Sequence, residues 1–191
     1  AAMRKMIKNR IISLSESELN VQSEIIQKKL LELDSFKKSK TVSVYVSFKG
    51  EVGTDMILQT LFQSDKNVFV PFIKKPEPMK MLQIHSFDDL ESIQLFPTTS
   101  ILQPTNPEER KEVFDCNAPL DLIILPGVAF DNDGCRLGRG KGYYDGFLQK
   151  AKELYPNLVT IGLGFKEQIL ENGEIPMDAH DQKLDFILTS E

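Results

Sequence analysis

The feature that most limits how this chain can fold is an apolar run that leads directly into a glycine-rich loop. The run extends from Asp121 to Leu125 and has the nearly continuous apolar character of a strand buried on both faces of a parallel sheet. The loop ends near Gly142, and a helix is predicted from Tyr143 or Tyr144 to about Leu154. A strand, a loop and a helix in this order form the repeating unit of α/β proteins, so we expect a sheet covered by helices.

The rest of the chain repeats this alternation of strands and helices. Strands are predicted at residues 41–47, 68–72, 80–85, 158–163 and 184–188. Helices are predicted at residues 1–13, from a Ser-x-x-Glu capping box at Ser15, from Thr54 to about Gln63, and over residues 166–170. Together these segments predict a three-layer α/β/α sandwich with a mostly parallel central sheet, formed by one domain that spans residues 1–191.

Two segments carry more specific expectations. In the first strand Val42, Val44 and Val46 occupy alternate positions, which predicts that they share one face of the sheet. Residues 97–119 hold four of the ten prolines and show little periodicity, which predicts a long surface loop and a candidate lid.

Charge and cysteine content exclude several classes of protein. The chain has 191 residues and a net charge of −5, which argues against general nucleic-acid binding because such proteins present a basic face. Its two cysteines, Cys116 and Cys135, show neither metal-binding nor disulfide spacing, so we expect reduced thiols in the cytoplasm. The longest apolar stretch, residues 122–130, is too short to span a membrane, and residues 1–10 lack the apolar core of a signal peptide.

The glycine-rich loop is the main candidate for function. Gly138, Gly140 and Gly142 alternate with Arg139 and Lys141, so the backbone can turn freely and approach a ligand closely. Exposed amides, cations and the start of a helix together make a receptacle for phosphate. A solvated turn is the alternative, but a cationic cluster in an acidic chain favours a local binding role.

The loop matches neither of the two common phosphate-binding motifs. A P-loop needs a hydroxyl residue after its lysine, but Gly142 follows Lys141, and Cys135 stands at the earlier glycine position. A dinucleotide-binding fingerprint needs a third glycine where Tyr143 stands. The residues alone therefore predict an anion-binding turn of another type, with Asp145 placed to give an oxygen ligand to a phosphate-bound metal.

The loop and its surroundings resemble a known family. The segment from Pro126 to Asp131 and the string from Arg136 to Asp145 are similar to the signature of the 5-formyltetrahydrofolate cyclo-ligases, also called methenyltetrahydrofolate synthetases. Similar segments occur at residues 45–51, 165–168 and 180–185. The resemblance implies an ATP- and magnesium-dependent enzyme that converts 5-formyltetrahydrofolate to 5,10-methenyltetrahydrofolate and releases ADP and phosphate. It also implies the fold group that includes sugar-phosphate isomerases and CoA-transferases.

The resemblance also implies a nucleotide site and a metal site. The ATP-binding residues would be Arg4, Arg136, Leu137, Gly138, Arg139, Gly140, Lys141, Gly142, Tyr143 and Tyr144. Arg139, Lys141 and Tyr143 would be catalytic, and the two cations suit the oxygens of a phosphoryl group in transfer. Asp145 and Asp181 would hold Mg²⁺.

The folate site implied by the resemblance comprises Val46, Glu51, Arg139 and Tyr143. Glu51 lies just past the carboxyl end of a strand, where open α/β sheets bind ligands, although a loop glutamate is more often simply solvated. A carboxylate at this place suits the 2-amino and N3–H donors of a pterin. The ring of Tyr143 could stack on the pterin.

Two departures from the family pattern and two alternative functions stay open. The family's lysine ahead of the arginine at Arg4 would lie before residue 1. Phe72 follows Pro71 where the family often has a cation, with Lys74 and Lys75 nearby.

The alternative functions are those of a relative of sugar-phosphate isomerases or CoA-transferases, and of a folate- or nucleotide-binding module without turnover. For the enzyme we expect a cytoplasmic monomer that acts on a folate, polyglutamylated or not, and binds neither nucleic acid nor membrane.

Overall fold

The computed structural model of the protein describes residues 1–96 and 101–191. Its helices are α1 (Ala2–Ile12), α2 (Glu16–Glu32), α3 (Asp34–Lys38), α4 (Asp55–Phe62), α5 (Phe87–Glu91) and α6 (Tyr143–Leu154). Its strands are β1 (Thr41–Val44), β2 (Asn67–Phe72), β3 (Lys80–Ile84), β4 (Gln94–Phe96), β5 (Ile101–Gln103), β6 (Leu122–Leu125), β7 (Ala129–Phe130), β8 (Arg136–Leu137), β9 (Val159–Leu163) and β10 (Phe186–Leu188). Short 3₁₀ turns cover Pro107–Glu109, Val113–Asp115 and Lys166–Gln168. No helix in the two described ranges combines the length and the apolar character needed to cross a membrane.

Six strands form the central sheet in the order β10-β9-β6-β1-β2-β3. Neighbouring strands are parallel except for β3, which pairs antiparallel with β2. From β1 the chain moves outward through β2 to β3, and it then returns to the other side of β1 with β6. The strand order therefore reverses between β1 and β6, and at such a point the loops leave a crevice at the carboxyl ends of the strands. The predicted mostly parallel sheet is confirmed.

Side chains of the sheet alternate between two buried clusters, one on each face. Val42 and Val44 of β1 pack in a cluster with apolar side chains of α1, α2, α3 and α4. Ile123 and Leu125 of β6 pack in the opposite cluster, together with Phe147 of α6. Helices therefore cover both faces of the sheet, and the predicted three-layer arrangement is confirmed.

The predicted capping box opens α2. The Ser15 hydroxyl accepts a hydrogen bond from the Glu18 amide at 3.1 Å, and the Ser15 amide donates to Oε2 of Glu18 at 2.7 Å. These bonds satisfy amides that the start of a helix leaves unpaired. Ile26 and Leu30, further along the helix, are fully buried in the core. The predicted cap and the predicted apolar stripe therefore both occur in α2.

The first strand is shorter than predicted. β1 ends at Val44 rather than near Ser47, and all four of its residues are buried. Beyond β1 the chain turns, and the side chain of Thr54 stabilises this turn through two hydrogen bonds. Its hydroxyl donates to the Tyr45 carbonyl at 2.8 Å and accepts from the Ser47 amide at 3.2 Å. Val46 is therefore half-buried beyond the strand, and its predicted place in the sheet is wrong.

The start of α4 is capped from another helix rather than by Thr54. The Thr54 side chain makes no capping bond, because its hydroxyl is engaged with the turn. Instead Oε1 of Gln27, in α2, accepts bonds from the amides of Met56 at 2.9 Å and Ile57 at 3.2 Å. This contact fixes one end of the segment between β1 and α4, which contains Glu51.

Residues 101–119 are more structured than the predicted long loop. β5 pairs antiparallel with β4, and Val113 is fully buried in the core. The buried side chain of Gln103 bonds both the amide and the carbonyl of Ile73. A three-residue strand among prolines is too short to show a period, so the prediction of a loop is wrong for this part. Residues 97–100 lie outside the described ranges, and the candidate lid stays a prediction.

Replacing Gln27 by Leu should destabilise the fold by about 1–3 kcal/mol, because two amides at the start of α4 would lose their acceptor. Urea unfolding would measure the loss. The same substitution at Gln149, which is exposed on α6, is the control and should change the free energy of unfolding by less than about 0.5 kcal/mol. Equal effects of the two substitutions would contradict the capping role of Gln27.

Candidate active site

A cleft opens at the carboxyl ends of the strands, where the order of the sheet reverses. It has a volume of about 2000 Å³. Helix α1 forms one wall, and the segments that follow β1, β2 and β6 form the others. The cleft is lined by every residue that the sequence assigns to the nucleotide, folate and metal sites, namely Arg4, Val46, Glu51, Arg136, Leu137, Gly138, Arg139, Gly140, Lys141, Gly142, Tyr143, Tyr144, Asp145 and Asp181.

The segment between β6 and the glycine-rich loop is a hairpin that sequence analysis misses. β7 pairs antiparallel with β8. Oδ1 of Asp131 closes the turn by accepting bonds from the Asp133 amide at 3.0 Å and the Cys135 amide at 2.9 Å. The signal for it was the Asp-Gly pair at residues 133–134, because that dipeptide is typical of hairpin turns. The side chain of Leu137, at the end of the hairpin, is consequently buried.

Arg136 lies within the wall of the cleft. Its side chain is only 5% exposed, and its guanidinium carbon lies 5.1 Å from the ring centre of Tyr144. Nη1 donates to the Pro126 carbonyl at 3.3 Å, and Nη2 lies 3.7 Å from Oδ2 of Asp145. Burial lowers the pKa of Arg136, while the Asp145 carboxylate opposes that shift. This arginine therefore orients Asp145 and adds positive potential behind the loop.

Arg4 connects α1 to the glycine-rich loop. Its Nε donates to the Gly138 carbonyl at 2.8 Å. Gly140 has a φ of +92°, and a Cβ atom there would lie 3.4 Å from the guanidinium carbon of Arg4. Glycine suits this position because it adopts positive φ without strain. The structure thus places a cation of α1 directly beside the loop.

The loop ends at the start of α6. Gly142 occupies the N-cap position with a φ of +67°, and it has no side chain to cap the first turn. The first amides of α6 can therefore donate to an anion in the cleft. Tyr143 and Tyr144 form this first turn, and both are half-buried. Burial raises the pKa of Tyr144 and the charge of Glu51 adds to the shift, so the phenol keeps its proton.

Glu51, Arg139 and Phe48 form one contact cluster across the cleft. Nη2 of Arg139 donates to Oε1 of Glu51 at 3.1 Å, which joins the glycine-rich loop to the loop after β1. The Arg139 guanidinium carbon also lies 4.5 Å from the ring centre of Phe48. The Phe48 amide donates to Oε2 of Glu51 at 3.3 Å. The Arg139 side chain is 50% exposed and that of Glu51 13%, so the arginine lies nearer the opening of the cleft.

Glu51 titrates near neutral pH. Burial raises its pKa from 4.5 to about 7, although the charge of Arg139 and the Phe48 amide favour the ionised form. Tyr45 lies close by, but its hydroxyl donates to the Val52 carbonyl at 2.7 Å. In the ligand-free protein one carboxylate oxygen of Glu51 accepts from Arg139 and the other from the Phe48 amide. A carboxyl group with such a pKa in a cleft is typical of a functional site.

Asp145, in α6, and Asp181, in the turn before β10, line the same cleft, and a hydrogen bond joins α6 to that turn. The Gln182 amide donates to Oδ1 of Asp145 at 3.2 Å, and the Asp178 amide donates to Oδ2 of Asp181 at 2.8 Å. Within residues 1–96 and 101–191, no three His, Cys, Asp or Glu side chains form a metal cage. Mg²⁺ commonly takes one or two carboxylates plus substrate phosphates. The two aspartates therefore fit an ion that is also bound by a phosphate ligand.

Comparisons with known proteins identify the family. The family model described as the 5-formyltetrahydrofolate cyclo-ligase family matches residues 1–190. A probable 5-formyltetrahydrofolate cyclo-ligase of Schizosaccharomyces pombe is 39% identical over 196 residues, which cover 99% of this chain and 94% of that protein. The 5-formyltetrahydrofolate cyclo-ligase of Mus musculus is 38% identical over 192 residues, which cover 97% of this chain and 91% of that protein.

A solved structure leads to the same family. The NMR structure of a 5,10-methenyltetrahydrofolate synthetase of Aquifex aeolicus matches with a TM-score of 0.78 and 31% identity, covering 100% of this chain and 89% of that one. The chain belongs to the 5-formyltetrahydrofolate cyclo-ligase family. The predicted family and the predicted ligase class are confirmed.

In this member of the cyclo-ligase family, a lysine of the turn between β2 and β3 lies beside the glycine-rich loop. The Lys75 amine lies close enough to lower the pKa of Lys141, because two like charges disfavour each other. Two ammonium groups held this close favour an anion between them. Of Lys74 and Lys75, Lys75 is therefore the candidate to replace the cation that the resemblance implies at Phe72.

Gln168 is a residue of the cleft to which sequence analysis gives no role. Its Nε2 donates to the carbonyls of Gly127 at 2.8 Å and Val128 at 3.0 Å, and its Oε1 accepts from the Phe165 amide at 2.9 Å. These bonds fix the segment that follows β6. The similarity at residues 165–168 marks the position, but nothing local in the sequence reveals its partners.

Glu51→Gln should stabilise the folded protein at about pH 8 and have little effect near pH 4.5. Because the folded-state pKa is raised, the native state binds a proton more tightly than the unfolded chain. Ionisation therefore reduces stability as the pH rises from 4.5 to about 7. A shift from 4.5 to about 7 corresponds to a loss of about 3 kcal/mol. Urea unfolding at the two pH values would measure it.

The matched control is Glu153→Gln, at an exposed position of α6. It should show no pH-dependent gain in stability. If wild type and Glu51→Gln were equally stable at about pH 8, the carboxyl group would not be held in the unfavourable environment that the structure shows.

Proposed function

We propose that the chain converts 5-formyltetrahydrofolate to 5,10-methenyltetrahydrofolate with ATP and Mg²⁺ and releases ADP and phosphate. Membership of the family and the names of the relatives support this reaction. The observation that carries the proposal is the 3.1 Å contact between Arg139 and Glu51. A carboxylate suited to a pterin thus lies beside a cation suited to a phosphoryl group, which supports the binding of both substrates in one cleft.

The size of the cleft supports two substrates. Pockets for one small ligand usually occupy about 300–1000 Å³, whereas this cleft has a volume of about 2000 Å³. The glycine-rich loop and the start of α6 offer amides and cations on one side. The loop after β1 offers Glu51 on the other side. This separation suits a nucleotide and a folate bound side by side.

On the nucleotide side, residues 138–142 and the first amides of α6 would bind the phosphates. Arg139 and Lys141 would neutralise the oxygens of the transferring phosphoryl group, with Lys75 beside Lys141. Arg4, which is fixed to the loop through the Gly138 carbonyl, would contact the nucleotide. These groups come from three separate segments, so their charges converge on one small volume.

On the folate side, Glu51 would accept bonds from the 2-amino group and N3–H of the pterin. Those donors favour the ionised carboxylate, so pterin binding should lower the pKa of Glu51 from its value of about 7. Val46 would contact the pterin and Tyr143 would stack on it, since both line the same cleft as Glu51.

Asp145 and Asp181 would hold Mg²⁺ together with the ATP phosphates. The ion, when bound, supplies charge neutralisation at the phosphoryl oxygens. Arg136 lies against one carboxylate oxygen of Asp145 and the Gln182 amide bonds the other. The ligand is therefore oriented before the substrates bind.

The chemistry would proceed in two steps. The formyl oxygen attacks the γ-phosphorus of ATP, so that ADP leaves and an iminium phosphate forms on N5. N10 of the folate then attacks the formyl carbon and loses its proton, and phosphate leaves as the ring closes. Both steps occur between bound groups, so the protein mainly positions them and neutralises charge.

We also infer that the chain acts as a monomer, because one cleft of the chain contains every residue proposed for the site and no second copy is needed to complete it. A cytoplasmic location agrees with the unpaired thiols of Cys116 and Cys135. Size-exclusion chromatography with light scattering would test the first inference, and a mass corresponding to two or more chains would contradict it.

The direct test of the reaction follows its product. Methenyltetrahydrofolate absorbs strongly in the near ultraviolet, so its appearance from 5-formyltetrahydrofolate can be recorded continuously. We expect product only when ATP and Mg²⁺ are both present, and chelation of the ion should stop the reaction. Product formed without ATP would favour a transferase- or isomerase-like reaction, and no product at all would contradict the proposed activity.

Lys141→Met should lower kcat by about 100-fold and leave the KM for the folate nearly unchanged, because the charge acts on the transferring phosphoryl group. The same absorbance assay gives both constants. Lys38→Met is the control, since Lys38 is exposed at the end of α3 and lies near the amino end of β1. An unchanged kcat in Lys141→Met would mean that the γ-phosphate lies elsewhere.

A further inference from the structure

Phe48 contacts both charged partners of the cleft. Its ring centre lies 4.5 Å from the Arg139 guanidinium carbon, and its amide donates to Oε2 of Glu51 at 3.3 Å. Arg139 in turn donates to the other carboxylate oxygen, Oε1, at 3.1 Å. Phe48 therefore contacts both members of the ion pair, Arg139 through its ring and Glu51 through its backbone amide.

In the proposed reaction Arg139 and Glu51 need different partners. A pterin edge offers two donors to the Glu51 carboxylate, and the Arg139 donor on Oε1 occupies part of the same acceptor. The phosphoryl group needs the guanidinium on the nucleotide side of the cleft. Any contact that holds Arg139 beside Glu51 therefore competes with both substrates.

We propose that Phe48 is a positioning residue that holds Arg139 at the Glu51 carboxylate until a folate binds. This inference rests on the proposed function and adds that the arginine becomes available to ATP only when folate is present. The aromatic face suits the task because a guanidinium stacks on it without losing its outward hydrogen bonds. The contact is weak enough to be exchanged, since half of the Arg139 side chain is exposed.

Such an arrangement couples the two substrates. The pterin displaces Arg139 from Glu51, and the displaced guanidinium can then reach the phosphates, so ATP binds more tightly. Linkage requires that ATP tighten folate binding by the same factor. ATP bound without folate would lack one cation on its phosphoryl oxygens, which would slow wasteful hydrolysis.

The test compares Phe48→Leu with Phe48→Tyr. The leucine variant removes the aromatic face but keeps the backbone amide, whereas the tyrosine variant keeps both. Calorimetry would give the Kd of MgATP without folate and with saturating 5-methyltetrahydrofolate, which lacks the formyl oxygen and cannot react. Without folate, Phe48→Leu should bind MgATP about two- to fivefold more tightly than wild type, the factor that an exposed cation–π contact supplies.

Without folate, Phe48→Tyr should bind MgATP with the same Kd as the wild type. With folate bound, the wild type and both variants should all give the same Kd for MgATP. Equal constants for the two variants without folate would overturn the inference. A purely structural role for Phe48 would weaken MgATP binding of Phe48→Leu in both conditions, and that result would overturn it too. Failure of the proposed function is distinguishable, because the wild type would then form no methenyltetrahydrofolate in the absorbance assay.

Discussion

Burial of the two central strands on both faces decides where chemistry can occur in this molecule. β1 and β6 lie side by side in the middle of the sheet, and every residue of both strands is buried. Polar groups that serve a ligand must therefore come from the loops beyond the strand ends. Because the strand order reverses between β1 and β6, these loops diverge and leave the cleft. Glu51 follows one strand and the glycine-rich loop follows the other.

Polar side chains from distant segments hold these two loops in place. Gln27 caps α4 beyond the first loop, and Gln168 bonds carbonyls at the start of the segment after β6. An amide side chain can donate and accept at once, so it can satisfy backbone groups of either kind. Both glutamines are buried, and the backbone groups they bond would not readily regain water if the side chains were lost. The loops are thus preorganised by specific bonds, and apolar packing alone would not define them.

The sequence predicts the features whose signals are local. Apolar runs predict the central strands, the capping box predicts the start of α2, and the glycine-rich string predicts the loop and the family. The contacts that position the site join residues far apart in the chain, namely Gln27 with Met56, Arg4 with Gly138, and Arg139 with Glu51. No periodicity encodes such pairs. Thr54 shows that residue type alone does not predict a contact. Its hydroxyl suits a helix cap, but it donates to the Tyr45 carbonyl instead.

Glu51 shows why an unfavourable group can be retained in such a site. Burial outweighs the favourable effects of Arg139 and the Phe48 amide, so the ionised carboxylate destabilises the ligand-free protein. A pterin would bring two further donors, and the same charge would then be better satisfied in the complex than in the free protein. The Arg139 side of the ion pair is half-exposed, so solvent weakens the pair, and its exchange for a pterin requires less free energy than the loss of a fully buried pair. That exchange moves a positive charge toward the nucleotide, which would tie recognition of the folate to activation of its formyl group.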